Sequence, residues 1–188
     1  MAKWIEEGSE VHVCVFSTAE DSLPKGSQPT RLAEECHASL DVLGVRDDRR
    51  IVFRYPVRKL SYHRQDVLEN MVQLGQEIAP EWVVIPSGSD LHQDHATIHD
   101  EALRAFKHKT VLGYELPWNH ITFCASAFVT LERRHLDRKW EALTRYASQL
   151  ELGRPYFTKE FHESLARVRG LQVKSDWAEA FELIRVVF

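Results

Sequence analysis

Ser87-Gly88-Ser89-Asp90-Leu91-His92-Gln93-Asp94-His95 is the stretch that decides how the rest of this chain is read. It follows a short apolar run, Trp82-Val83-Val84-Ile85, closed by Pro86, which has the length and composition of a buried strand. It precedes residues 96–107, whose pattern predicts a helix. Two histidines and two aspartates are therefore expected on a loop between the end of a strand and the start of a helix. Open α/β sheets place their sites there, outside the carboxyl ends of the strands. Within His92 to His95 the chain offers two imidazoles and a carboxylate. These residue types serve as a metal ligand, its orienting partner and a proton donor.

Strand-like and helix-like segments alternate on both sides of this loop. Residues 1–7 read as the last turns of a helix stopped by Gly8. Residues 11–16 are valine-rich and alternate, as a strand does. Residues 19–28 form a polar loop, expected over the site. A helix is predicted to about Leu43, capped by Thr30, with Leu32, Cys36, Leu40 and Leu43 on one face and Gly44 at its end. Ile51-Val52-Phe53 predicts a short strand and residues 65–78 a helix. Beyond the loop, residues 110–114 and 123–131 predict strands. Residues 136–150 and 157–168 predict helices, the second stopped by Gly170. There is no internal repeat or linker. The expectation is one α/β domain over residues 1–188, with residues 11–16 and 82–85 in a single, mainly parallel sheet.

Composition narrows the function classes. The 188 residues suffice for one domain with a core. Hydrophobic residues make up 44% and charged residues 28%, and the net charge of -4 is mixed along the chain. No basic stripe points to nucleic acid and no lysine-rich amphipathic helix to a membrane surface. No apolar run approaches about 18 residues, and Met1 opens no signal peptide, so a cytoplasmic location is expected. Cys14, Cys36 and Cys124 are far apart and odd in number, which predicts reduced, buried thiols.

The loop, Pro-Ser-x-x-Asp-x-His-Gln-Asp-His before a helix, resembles the His-x-Asp-His signature of the PIG-L/LmbE-like zinc-dependent de-N-acetylases. Arg31 with Glu34 or Glu35, then Leu43-Gly44, is similar to that family's arginine-glutamate helix. Leu112-Gly113-Tyr114-Glu115, Pro117-Trp118-Asn119, Tyr146-x-Ser148-Gln149, Arg169-Gly170 and Ala178-Glu179-Ala180-Phe181 resemble a bacterial branch of it. The resemblance implies a Rossmann-like three-layer fold, one zinc, and hydrolysis of an acetamide on a glucosamine-type sugar. It implies that His95 is a zinc ligand, that His92 stabilises the oxyanion or protonates the leaving amine, and that Asp94 orients His92. It also implies a homo-oligomer. One part is missing: the family's His-Pro-Asp-Asp motif, which supplies further zinc ligands and the general base, occurs nowhere in this sequence. The resemblance implies that the chain begins after the central strand that would carry it. The 188 residues are therefore expected to bind zinc weakly or not at all.

Other residues have two readings each. Arg31 binds an anionic part of a sugar nucleotide or pairs with Glu34. Trp118 and Asn119 stack on and hydrogen-bond a sugar ring, or the tryptophan is core. Asp90 caps a turn or supports the site. His99, four residues after His95, is on a face that can grip a metal, but the family does not use it and a surface role is expected. Three functions compete: a zinc amidohydrolase on an N-acetylglucosamine-type substrate, a metal-poor relative that binds a sugar, and a generic nucleotide-binding domain. The last is disfavoured because no Gly-x-Gly-x-x-Gly follows a strand.

Overall fold

Residues 1–24 and 26–188 are described in the computed structural model of the chain. Lys25, part of the loop expected over residues 19–28, lies outside the described residues. In chain order the elements are α1 (Ala2–Glu6), β1 (Val13–Val15), α2 (Arg31–Leu43), β2 (Arg50–Val52), α3 (Arg64–Ile78), β3 (Trp82–Pro86), α4 (Gln93–Ala105), β4 (Thr110–Tyr114), β5 (Ala127–Leu131), α5 (Arg133–Thr144), α6 (Ala147–Glu151), α7 (Lys159–Gln172) and β6 (Trp177–Arg185). They divide into two compact units, Met1–Val57 with Thr130–Glu179, and Arg58–Val129 with Ala180–Phe188.

In the first unit β1 and β2 pair in parallel, Val13 opposite Arg50 and Val15 opposite Val52. Helix α2 buries Leu32 and Leu40 and packs on α5 and α6. It ends at Gly44, whose φ of 84° lets Val45 N–H bond back to the Leu40 carbonyl at 3.0 Å. A side chain there would strain the turn. Thr30 precedes the helix as expected, but its hydroxyl donates to Glu34 Oε1 at 2.7 Å and does not cap it. Glu35 is buried, and its carboxylate accepts from Ser148 N–H at 2.9 Å and Arg31 Nε at 3.0 Å. A buried carboxylate needs such donors to offset its lost hydration.

The second sheet has the order β3-β4-β6-β5. β3 and β4 run parallel, Ile85 opposite Gly113. β6 runs antiparallel to β4, with Gly113 opposite Glu182. Helix α4 packs on β3 and on α3, over a core that includes Leu60, Val67, Met71, Ile85, Val111 and Leu112. Glu101 of α4 is fully buried, and Arg64 and Arg104 each donate to its carboxylate at 2.5 Å. The pairing is what makes that charge tolerable inside.

The α/β class and parallel pairing agree with the sequence, but besides the Thr30 cap four further expectations are corrected. Residues 11–16 and 82–85 do not share a sheet: β1 pairs with β2 and β3 with β4, in separate sheets. A sheet is continuous only while each strand is bonded to the next, and neither β1 nor β2 bonds to β3 or β4. The helix expected over 136–150 breaks after Thr144. In a continuous helix Ser148 N–H would bond the Thr144 carbonyl. Here it bonds Glu35 instead, and Tyr146 takes a non-helical ψ of 68°. Gly170 lies inside α7 and does not stop it; a β-carbon there would meet Ser175 O at 2.7 Å and the Asp176 backbone at 2.8 Å. It marks a close approach. Finally, Cys14 and Cys124 are exposed free thiols. Cys14 points away from Val13 and Val15, as alternation along a strand requires. No helix among the described residues is long and apolar enough to cross a membrane.

Candidate functional site

The loop from Ser87 to His95 lies in the second unit. Helix α4 starts at Gln93, three residues earlier than the pattern suggests, because the loop side chains satisfy its free amides. His92 is the N-cap, and its Nδ1 accepts from Asp94 N–H at 3.2 Å. The preceding turn is closed by Asp90 N–H donating to the Ser87 carbonyl at 3.1 Å. Asp90 is buried. Its Oδ1 accepts from His92 N–H at 2.9 Å, while Oδ2 takes His95 Nδ1 at 2.8 Å and Asn119 Nδ2 at 3.3 Å. Leu91 N–H donates to the Asn119 carbonyl at 3.0 Å. The turn and the segment around Asn119 are thus stitched together through one carboxylate and one backbone bond.

These bonds assign the two imidazoles opposite characters. A carboxylate only accepts, so His95 carries its proton on Nδ1 and leaves the Nε2 lone pair bare. His92 Nδ1 accepts a backbone N–H, so neutral His92 carries its proton on Nε2. The rings are 4.5 Å apart, centroid to centroid. Burial, and then the neighbouring His95, hold the His92 pKa below the ordinary histidine value, which favours the neutral form. Burial, with the Asp90 charge adding to it, pushes the Tyr114 hydroxyl well up. The site therefore presents a lone pair and an N–H donor side by side.

Asp94 sits elsewhere than expected. Its carboxylate accepts from the backbone N–H groups of Arg58 and Leu60, the latter at 3.2 Å, and does not orient His92. Its link to His92 runs through its own backbone amide. The carboxylate that holds an imidazole is Asp90. Asn119 is brought to the site through Asp90; Trp118, beside it, is 40% exposed. Arg31 belongs to the first unit, where its guanidinium grips Glu151 with two bonds of 2.6 and 3.1 Å and Glu35 with one. These partners push its pKa further up, Glu151 most. His99 turns Nδ1 to the Pro86 carbonyl at 2.9 Å. The sequence placed Ser87 in the loop motif without a role and did not single out His120 or Glu182, which with it hold the base of the turn. No local pattern marks those two.

A catalytic zinc takes about three protein ligands and leaves one position open. Among the described residues no group of three His, Cys, Asp or Glu side chains is placed to hold a metal. His95 Nε2 is an open ligand atom. Asp90 is committed to His95 and Asp94 to backbone amides, His92 turns an N–H outward, and His99, whose Nδ1 faces a carbonyl and whose Nε2 is also bare, forms no such group with His95. This donor set does not fit a catalytic zinc.

The family model described as PIG-L, GlcNAc-PI de-N-acetylase, matches residues 1–106 of the chain. No curated protein matches it. Among solved structures, a conserved protein from Thermus thermophilus, TT1542, superposes with a TM-score of 0.82 at 20% identity, over 100% of this chain and 87% of that one. N,N'-diacetylchitobiose deacetylase from Pyrococcus horikoshii gives 0.78 at 16%, over 96% and 75%. GalB, the 4-carboxy-2-hydroxymuconate hydratase from Pseudomonas putida KT2440, gives 0.77 at 21%, over 100% and 90%. At such identities the likeness establishes the fold alone. A deacetylase and a hydratase share that fold, so the fold does not choose the reaction.

Proposed function

Because the chain belongs to the PIG-L, GlcNAc-PI de-N-acetylase family, we propose that its site takes the N-acetyl group of an N-acetylglucosamine-type sugar or conjugate, with de-N-acetylation as the reaction class. The observation that carries this reading is the pair of imidazoles of opposite character. Hydrolysis of an acetamide turns its carbonyl oxygen into an oxyanion and requires a proton on the leaving nitrogen. His92 Nε2–H, neutral and part-buried, suits the oxyanion. His95 Nε2, backed by Asp90, suits a proton or a metal. Trp118 offers a ring face to a sugar and Asn119 a carbonyl or amide edge.

Zinc is the cofactor this reading brings from the family, and the donor set among the described residues does not complete its site. The same observation favours a second reading, in which the 188-residue chain recognises an amino sugar without stoichiometric zinc and without appreciable turnover. Both readings place the protein in the cytoplasm with a small-molecule partner and a second copy of itself, not a nucleic acid or a membrane.

The test is threefold on one preparation: zinc content after equilibration with the metal, acetate released from an N-acetylglucosamine conjugate, and binding of that conjugate followed by ligand NMR. Stoichiometric zinc with acetate release supports de-N-acetylation by this chain. Binding without either supports the second reading. Absence of both binding and release refutes the two together.

A further inference from the structure

Glu182 stands on β6 opposite Gly113 of β4, and β4 lies between β6 and β3. Its carboxylate nevertheless reaches the residue that follows β3: Oε2 accepts from Ser87 Oγ at 2.8 Å and from Gly88 N–H at 3.1 Å. That reach crosses a whole strand. It is open because the crossed residue has no side chain. A β-carbon on Gly113 would stand 2.9 Å from Ser87 Cα and 3.2 Å from Glu182 Oε2.

We propose that Glu182 is a positioning residue, which reaches over Gly113 to lock the Ser87–Asp90 turn and so holds Asp90 where it orients His95. Ser87 is 1% exposed, so its hydroxyl has no water to fall back on. The bonds beyond it run in one sense. His120 Nε2 accepts Leu116 N–H at 2.8 Å, which leaves the proton on Nδ1, 3.2 Å from Ser89 Oγ. The Ser89 hydroxyl, 3.0 Å from Ser87 Oγ, donates on to it, and Ser87 donates to Glu182. Each donor points toward the carboxylate that ends the row, and such chains reinforce one another in a low-dielectric setting. The Ser87 carbonyl in turn accepts Asp90 N–H. Removing the acceptor at Glu182 strands the buried Ser87 hydroxyl at the base of the turn that carries Asp90 and releases the exposed Gly88 amide to water.

The value of this lock for catalysis rests on the de-N-acetylase reading; the lock itself does not. The experiment therefore reads the His95 Nδ1–H resonance in ¹⁵N-labelled full chain, assigned by its loss in His95→Gln, and measures its exchange with water. Thermal unfolding of each variant is recorded alongside. Glu182→Met should accelerate that exchange roughly tenfold, the weight of one lost hydrogen bond, at temperatures where the variant is folded. Glu182→Gln, which keeps an acceptor oxygen, should restore the wild-type rate. Ser87→Ala removes the other end and should match Glu182→Met, which decides the matter if the methionine variant does not fold. Unchanged exchange in Glu182→Met or Ser87→Ala overturns the proposal, as does equal acceleration in the glutamine and methionine variants. If the wild-type chain binds no amino sugar, the de-N-acetylase reading fails while this measurement still stands.

Discussion

Asp90 Oδ2 lies 2.8 Å from His95 Nδ1, and the carboxylate is buried. A buried acceptor at that nitrogen leaves the imidazole one neutral tautomer, with Nε2 free to accept. Asp90→Asn can present an amide oxygen or an amide N–H to the same nitrogen, so the preference should weaken. Imidazole ¹⁵N shifts should report a single Nδ1–H tautomer for His95 in the wild type and a mixture in the variant. A single unchanged tautomer would show that Asp90 does not set it. In any form of the protein that turns over, the same change should cost about 10–100-fold in activity.

His92 and His95 should separate by function. Where activity is measurable, His92→Ala should lower turnover by roughly 10²–10³-fold, the usual cost of one oxyanion donor. His92 turns an N–H outward, so whatever zinc is held should remain. His95→Ala should lose the metal instead. Equal loss of zinc in both variants would contradict the tautomers assigned here.

Gly170→Ala sets two effects against each other. Alanine in a helix interior gains about 1 kcal/mol over glycine. Here the added carbon meets the backbone of Ser175 and Asp176 at 2.7–2.8 Å, and overpacking of that kind costs roughly 1–3 kcal/mol or more where backbone must move. The clash should win. Denaturant melts should place the midpoint below wild type, and a higher midpoint would refute the argument.

His162 is held neutral. Its pKa is lowered to about 4, chiefly by burial, with Lys139 adding and Glu179 opposing, and its Nε2 is buried without a hydrogen-bond partner. Unfolded, the same group titrates near 6.5. Between these values the unfolded chain binds more protons, so stability rises with pH. The contribution is full above about 6.5 and lost as pH falls through about 4. His162→Phe, beside Trp140 and Phe161, should raise the melting temperature at about pH 5 more than at about pH 7. Equal shifts at both pH values would exclude this histidine as the source.

Self-association is expected from β3. It stands at the end of the sheet order, paired with β4, and exposes Trp82 at 60% and Val84 at 38%. Unpaired strand edges with apolar side chains recruit another strand, and a second copy supplies an identical one. Light scattering at micromolar concentration should give a mass above 21.8 kDa that falls with Trp82→Lys. A clean monomer would remove the case.

Much of this was legible in the amino-acid order. The strand Trp82–Pro86, the helices α2, α3 and α4, and the stop at Gly44 follow from apolar spacing and from residues that cap or break within a few positions. The imidazole pair was legible too, because His92 and His95 are neighbours on one turn. Their partners were not. Asp94 and Asp90 are both close in sequence to the histidines, and only the amides of Arg58 and Leu60 drew Asp94 away. The split into two sheets, the break at Tyr146, and the reach of Glu182 over Gly113 were decided by tertiary structure alone. Ser87 and Glu182 are 95 positions apart. Periodicity reports which face a side chain takes, but the register of one strand against another exists only once they pair. That register is what sets a carboxylate opposite a glycine and a serine within its reach.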